Sequence, residues 1–321
     1  MSAAEFTLPA YAKINLGLRV HGRREDGYHE LTTVFQTVSL HDRLAFQNLA
    51  DGRLELTCSD PEIPADESNI VLRAAAALRE RYGVRRGARV ELEKVVPAGG
   101  GLGGGSSDAA VTLLGLANLW EIETGVRELA EIGARLGADV PFFLTGGTAL
   151  GTGTGTEIKP LGDAPKRHLV VVTPGVKVST AEAYKALGAR ALTKDEAAAN
   201  LSVSRTEADF SVSHSGVMTN DFEPVVVRLH PEIGRARDAL KSVGAGRALL
   251  SGSGSSVFGV FESKGEAERA RAALKAEGIE KINLWVKADN ASGLAFWNRI
   301  GGRERRDIVT VSIITGDNPN A

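Results

Sequence analysis

An α+β fold in two units is expected for this chain of 321 residues, on three observations. Residues 6–20, 31–47 and 53–58 place apolar side chains near period two, which makes the first third strand-rich. A glycine-dense run then joins a strand-like stretch (88–96) to an apolar helical one (107–120). From about residue 157 short strands and helices mix again, closing with strand–loop–strand–helix, half of an α+β sandwich. The length suits one large domain or two ordinary ones, and no internal repeat of 20–50 residues is evident.

The elements follow in order. After the early strands, Ser68 is expected to cap a helix that runs to Tyr82 and stops at Gly83. The strand to Val96, the glycine run and the helix Ser107–Trp120 come next, then a helix from Val126 to Leu136 ending at Gly137. In Gly137-Ala-Asp-Val-Pro-Phe-Phe-Leu144, Pro141 should push Val140 into an extended conformation and leave Asp139 at a helix exit, where a side chain can be presented to a cleft. Gly146 to Thr156 reads as a turn and a sparse strand. In the second unit His168–Thr173 is a strand, and Ser179 caps a helix through Leu187. Residues 194–215 include a loop, and helices lie near 222–229 and 232–241. Strands Ala248–Ser251 and Ser256–Phe261 flank a second glycine loop, Ser251-Gly-Ser-Gly-Ser-Ser256, before an amphipathic helix from Gly265 to Glu277.

Composition excludes several classes of function. Thirty-eight Lys and Arg against 40 Asp and Glu give a formal charge of −2 with no long like-charge block, which argues against nucleic-acid or anionic-membrane partners. The single cysteine, Cys58, permits no internal disulfide and fits a reducing, cytoplasmic setting. No apolar run approaches the ~20 residues of a membrane span, and no signal-peptide core is read at the N-terminus. The six histidines lack metal-ligand spacing, and there is no G-x-S-x-G elbow.

The glycine run carries the most chemistry. In Pro97-Ala-Gly-Gly-Gly-Leu-Gly-Gly-Gly-Ser-Ser-Asp-Ala-Ala110 six glycines fall within seven residues. Such a loop lets backbone N–H groups approach a ligand, and the helix after it offers a positive dipole end, so the pair is a cradle for phosphates. No lysine follows as in a Walker A loop, and the run lies too far into the chain and holds too many glycines for a dinucleotide fingerprint. A mere flexible linker would not open straight into a regular apolar helix. Lys13, in an apolar strand, and Asp139 each have a bland reading alone, as a solvated strand face and a turn aspartate. With a phosphate cradle between them they form the minimum set for phosphoryl transfer, a cation for the transferring group and a carboxylate for the attacking hydroxyl. Tyr28 and His29, in a turn between strands, suit stacking on and edge bonding to a planar base.

Four stretches in order, Ala10-Tyr-Ala-Lys-Ile-Asn-Leu-Gly-Leu18, the glycine run, Gly137-Ala-Asp-Val-Pro-Phe-Phe143 and Leu250-Ser-Gly-Ser-Gly-Ser-Ser-Val-Phe258, resemble the motifs of the galactokinase/homoserine kinase/mevalonate kinase/phosphomevalonate kinase (GHMP) superfamily over roughly residues 7–280. The Gly-Leu-Gly-Gly-Gly-Ser-Ser-Asp flavour, with Asp26-Gly-Tyr-His-Glu-Leu31 and Asn220-Asp-Phe-Glu-Pro224, is most similar to its 4-diphosphocytidyl-2-C-methyl-D-erythritol kinase branch. The resemblance implies a two-domain α+β fold with the active site in the cleft between domains, and transfer of the γ-phosphate of ATP, accompanied by Mg²⁺, to the 2-hydroxyl of a cytidyl substrate in the non-mevalonate isoprenoid pathway. It implies Asp139 as catalytic base and Lys13 beside the transferred group. The ATP loop would be Pro97, Ala98, Gly99, Gly100, Gly101, Leu102, Gly103, Gly104, Gly105, Ser106 and Ser107. Asn15 would touch substrate, His29 would read the cytosine edge, and Tyr28 and Tyr184 would sandwich its ring. The only Mg²⁺ ligands it suggests are Asp139 and the Ser106 and Ser107 hydroxyls.

The expected division is an ATP-binding domain over 1–156, a second kinase domain over 157–281 and a tail over 282–321. The tail resembles the closing β–α–β of an N-acetyltransferase without that enzyme's acetyl-CoA loop. It is read as an addition to the second domain, a segment that pairs with another chain, or a fusion remnant, or 281–286 simply supplies the last kinase strand. Two other readings compete with the cytidyl-substrate kinase: a homoserine- or mevalonate-type acceptor, and a catalytically silent sensor of a nucleotide or metabolite.

Overall fold

The computed structural model describes residues 6–162, 167–192 and 219–277, and the backbone of 282–285. Strands β1 (Phe6–Arg23), β2 (His29–Leu49), β3 (Leu54–Cys58), β4 (Gly87–Glu93), β5 (Thr148–Thr152) and β6 (Glu157–Pro160) form one sheet. Its order is β3-β4-β2-β5-β6, with β1 also on β2, and all pairs are antiparallel except β3–β4. Against it pack α1 (Ile70–Tyr82), α2 (Gly104–Leu119), α3 (Val126–Leu136) and α4 (Val140–Thr145), burying Phe46, Leu78, Leu116, Trp120 and Phe142.

The second sheet, β7 (His168–Val172), β8 (Arg247–Leu250), β9 (Val257–Phe261) and β10 (Ile282–Trp285), has the antiparallel order β10-β7-β9-β8. Helices α5 (Thr180–Leu187), α6 (Glu223–Leu229), α7 (Pro231–Ser242) and α8 (Lys264–Ala276) share its core, with Phe222, Ile233 and Leu274 inside. A third apolar cluster lies between the sheets, where Ala12, Ile14, Val38 and Leu40 of β1 and β2 meet Leu169, Val171 and Phe258 of β7 and β9.

Strand β1 changes its surroundings as it runs. Leu8 and Ala10 belong to the first core, Ala12 and Ile14 to the intersheet layer and Leu18 to the second core. Its register against β2 shifts between Tyr11 and Lys13 and again between Asn15 and Gly17. Such irregularities re-aim side chains, and here they bracket Lys13 and Asn15. Leu18 also bridges to Asn220 of the second unit.

Several elements differ from expectation for local reasons. The cap of α1 is Asn69, whose side chain accepts from the Val71 N–H; Ser68 instead bonds to Asp66. Helix α2 begins at Gly104, three residues early, because the Gly103 carbonyl already accepts from the Ser107 N–H. Val140 is not extended: it is the first residue of α4, where Pro141 is tolerated because a first-turn N–H has no helical partner. Strand β6 pairs with β5, so the first sheet continues past the expected boundary at 156. Residues 282–285 pair with β7, in line with the reading that they supply the last strand. The loop expected within 194–215 and the acetyltransferase-like stretch from 286 onward lie outside the described residues. Among the described residues no helix is long and apolar enough to cross a membrane.

Candidate active site

Both units line one open cleft of about 1240 Å³. Its floor is the β1 segment between the register shifts. Lys13 is buried, and its amine donates to Asn15 Oδ1 at 2.8 Å and lies 3.5 Å from Asp139 Oδ2. The Asn15 amide donates to Thr33 Oγ1 at 2.7 Å, and that hydroxyl donates to the Gly17 carbonyl at 2.8 Å. This chain of bonds fixes which end of the Asn15 amide faces the amine. The Phe35 ring lies 5.6 Å from the amine, a favourable cation–π distance. Asp139 is the N-cap residue of α4 and is about one-third exposed, so its carboxylate is open to a ligand while paired with Lys13.

The glycine run arches over this floor. Lys13 N–H donates to the Leu102 carbonyl, tying strand to loop at 2.9 Å. The loop also interlocks with its counterpart at 251–256: Ser251 Oγ donates to the Gly101 carbonyl, and Ser256 N–H to the Gly100 carbonyl, both at 3.0 Å. A Cβ at Gly101 would lie 2.1 Å from the Ser251 carbonyl oxygen, so no larger residue fits. Of the expected ATP-loop residues, Pro97 to Gly101 and Gly103 to Ser106 line the cleft. Leu102 and Ser107 do not: Leu102 is packed into the intersheet layer, and Ser107 is buried on the first turn of α2.

A buried ionic network clamps both ends of the loop. Lys94 Nζ bridges Asp42 Oδ2 at 2.5 Å and Asp108 Oδ2 at 2.8 Å, while Asp42 Oδ1 accepts the N–H groups of Val95 and Val96. Lys94 and Asp42 thus hold the chain into the run, and Asp108 holds it beyond. Burial pushes the Asp108 carboxyl up to about 7, with Lys94 opposing and Asp42 reinforcing the shift. The Lys94 amine is held above its ordinary value: burial opposes this, but the two carboxylates outweigh it.

The far end of the cleft is aromatic. The β1–β2 turn carries Tyr28, exposed at the rim, and His29, whose ring stacks on Tyr184 of α5 with centroids 4.3 Å apart. Phe222 supports Tyr184 edge-on. The ring packed on Tyr184 is therefore that of His29, and Tyr28 stands outside the pair. Burial, aided by Arg23, lowers His29 below its ordinary value, and burial with the Asp139 charge pushes Tyr184 up to about 12. Both rings are neutral at pH 7.

Lys13, Asn15, Tyr28, His29, Asp139 and Tyr184 all line this one cleft. Sequence reasoning gave no site role to Thr33, to the Asp42–Lys94–Asp108 network, or to Gly252, Ser253 and Gly254 of the second glycine loop; of these, Thr33 and the three loop residues line the cleft. The repeated Gly-Ser spacing between two strands was a signal for that loop; nothing local marks Asp42. Among the described residues no group of three or more His, Cys, Asp or Glu is placed to hold a metal. Asp139 and Ser106 do share one wall, since a Cβ on Gly137 would lie 3.6 Å from Ser106 Oγ.

Residues 69–147 match the model for the GHMP kinases N terminal domain and residues 207–280 that for the GHMP kinases C terminal domain. The chain is 44% identical to the 4-diphosphocytidyl-2-C-methyl-D-erythritol kinase of Chlorobium phaeobacteroides (82% of this chain, 92% of that one). It is 44% identical to that of Pseudomonas entomophila (84% and 89%). A crystal structure of 4-(cytidine 5'-diphospho)-2C-methyl-D-erythritol kinase superposes with TM-score 0.70 at 38% identity, covering 84% of this chain and 96% of that chain. L. major mevalonate kinase, at 16% identity and TM-score 0.67 over 88% of this chain and 96% of that chain, shares the fold.

Proposed function

The chain belongs to the GHMP kinases, and from that premise we propose that it transfers the terminal phosphoryl group of ATP to the 2-hydroxyl of 4-diphosphocytidyl-2-C-methyl-D-erythritol, a step of non-mevalonate isoprenoid synthesis. The observation that carries the residue assignment is the Lys13–Asp139 pair, 3.5 Å apart beneath a glycine loop in a cleft large enough for two substrates. The backbone N–H groups of residues 97–106 and the start of α2 cradle the phosphates of ATP. Asp139 accepts the proton of the acceptor hydroxyl as its oxygen bonds to phosphorus and the bond from phosphorus to ADP breaks. Lys13, held by Asn15, offsets the charge on the moving group. Mg²⁺, when bound with ATP, would neutralise part of the phosphate charge. A site with few protein ligands suits this ion, which is held largely by phosphates and water, and Asp139 and Ser106 are the side chains that would reach it.

The cytosine ring is assigned to the aromatic end. Tyr184 forms its floor and Tyr28 closes over it, and His29 leaves its present stack to bond the base edge. A neutral imidazole can donate or accept there.

A coupled ADP-release assay on the purified chain tests the reading. ATP consumption should require the cytidyl acceptor, and Asp139→Asn should lower kcat by roughly 10²–10⁴. His29→Ala should raise KM for the acceptor and erase discrimination against its uridyl analogue. Undiminished turnover by Asp139→Asn would remove Asp139 from the role given to it, and a preference for homoserine or mevalonate would replace the acceptor.

A further inference from the structure

The cleft must hold two polyanions, yet its side-chain cations are few and mostly occupied. Among the described residues that line it, Lys13, Arg24 and Arg135 are the lysines and arginines. Lys13 faces Asp139, and Arg24 is bound to Glu30 at 2.9 Å and Asp26 at 3.2 Å. Arg135 is different. It lies on the last turn of α3, is exposed, and has no ion-pair partner among the described residues. It belongs to the wall shared with the glycine loop: the helix end that carries it runs through Gly137, beside Ser106, to Asp139.

We propose that Arg135 binds the terminal phosphates of ATP, acting as a side-chain positioning residue beside a cradle otherwise made of backbone N–H groups. The inference rests on the cleft being an ATP site. A guanidinium is charged at every relevant pH and offers a planar fork to phosphate oxygens, and such charge-assisted bonds are the strong ones. The wall it belongs to is the one shared with the glycine loop, so its effect should fall on ATP and spare the acceptor.

The test uses the full chain and three ligands in calorimetry, a non-hydrolysable ATP analogue, ADP and AMP, with steady-state kinetics beside them. Arg135→Gln should weaken the ATP analogue roughly tenfold and leave AMP unchanged. KM for ATP should rise in parallel while KM for the acceptor stays put, and Arg135→Lys should restore part of the loss. The residue is exposed, so an unchanged thermal midpoint will show that the variant is folded. Equal binding of the ATP analogue by parent and variant, equal weakening of AMP, or a change confined to the acceptor KM would each overturn the proposal. The calorimetry contains no acceptor, so a parent that binds the analogue but fails to turn over the cytidyl substrate would sink the functional reading alone.

Discussion

Lys13 and Asp139 are 126 positions apart in the chain, and each has an ordinary reading alone; the 3.5 Å between their charged atoms makes them one device. The residues that set the device up are quieter. Thr33 holds the Asn15 amide, and Asn15 accepts from the Lys13 amine. Asp108 shows the same dependence on surroundings. In the sequence it is the last letter of a glycine motif, whereas in the fold it is a nearly buried carboxyl beside Lys94 and Asp42. With its carboxyl raised to about 7 from an unfolded value near 4, the folded chain binds more proton than the unfolded one across that interval. Stability should therefore fall as pH rises from about 4 to about 7 and level off above it. The thermal midpoint of Asp108→Asn should be flatter than the parent's over that range. Parallel curves for the two proteins would assign the slope to other groups.

The glycine loop and α2 work as one element. The loop was readable from glycine density ahead of an apolar helix, but which of its residues face the cleft was not. Leu102 packs into the intersheet layer, and Ser107 is buried on the first turn of α2. The interlock with the second glycine loop gives a contrast between two glycines. Both Gly99 and Gly101 have positive φ (68° and 75°), but a Cβ on Gly99 meets nothing within 4 Å, whereas one on Gly101 collides with the Ser251 carbonyl. Gly99→Ala should cost about 1–2 kcal/mol, the left-handed backbone penalty. Gly101→Ala should cost clearly more, roughly 3 kcal/mol or above, because backbone must move. Chemical denaturation of the two variants checks the order, and equal losses would mean the loops part easily. Helix α4 makes the opposite point about local rules. Pro141 disfavours a helical Val140, but the buried side chains of Val140, Phe142 and Phe143 outweigh that local preference.

Two sheets, each with its own helices, would be expected to unfold separately if only a linker joined them. Here they are joined by packing. The intersheet cluster packs β1 and β2 on β7 and β9, β1 contributes to all three clusters, and Asn220 donates to the carbonyls of Leu250 and Gly252 while its neighbours bond to Leu18. Calorimetric unfolding should show one transition with calorimetric and van't Hoff enthalpies in agreement. Two resolved peaks would mean that the third cluster is too weak to couple the units. The same packing gives the cleft its shape, since one wall comes from the first unit's glycine loop and α3, and the other from α5 and the second glycine loop.

Period-two alternation, a glycine run before a helix, and four motifs in order were enough to read the α+β character, the glycine loop and the kinase family, because each is written in neighbouring residues and in backbone geometry that few residue types can adopt. The extent of β1 and β2, the place of β6, the capping of α1 by Asn69 and the Asp42–Lys94–Asp108 clamp were not readable that way. They depend on which distant surfaces become buried together, and burial changes the energy of a charge or an unpaired N–H by more than local propensity does. The stack of His29 on Tyr184 belongs with them, because it sets a turn of the first unit against a helix of the second.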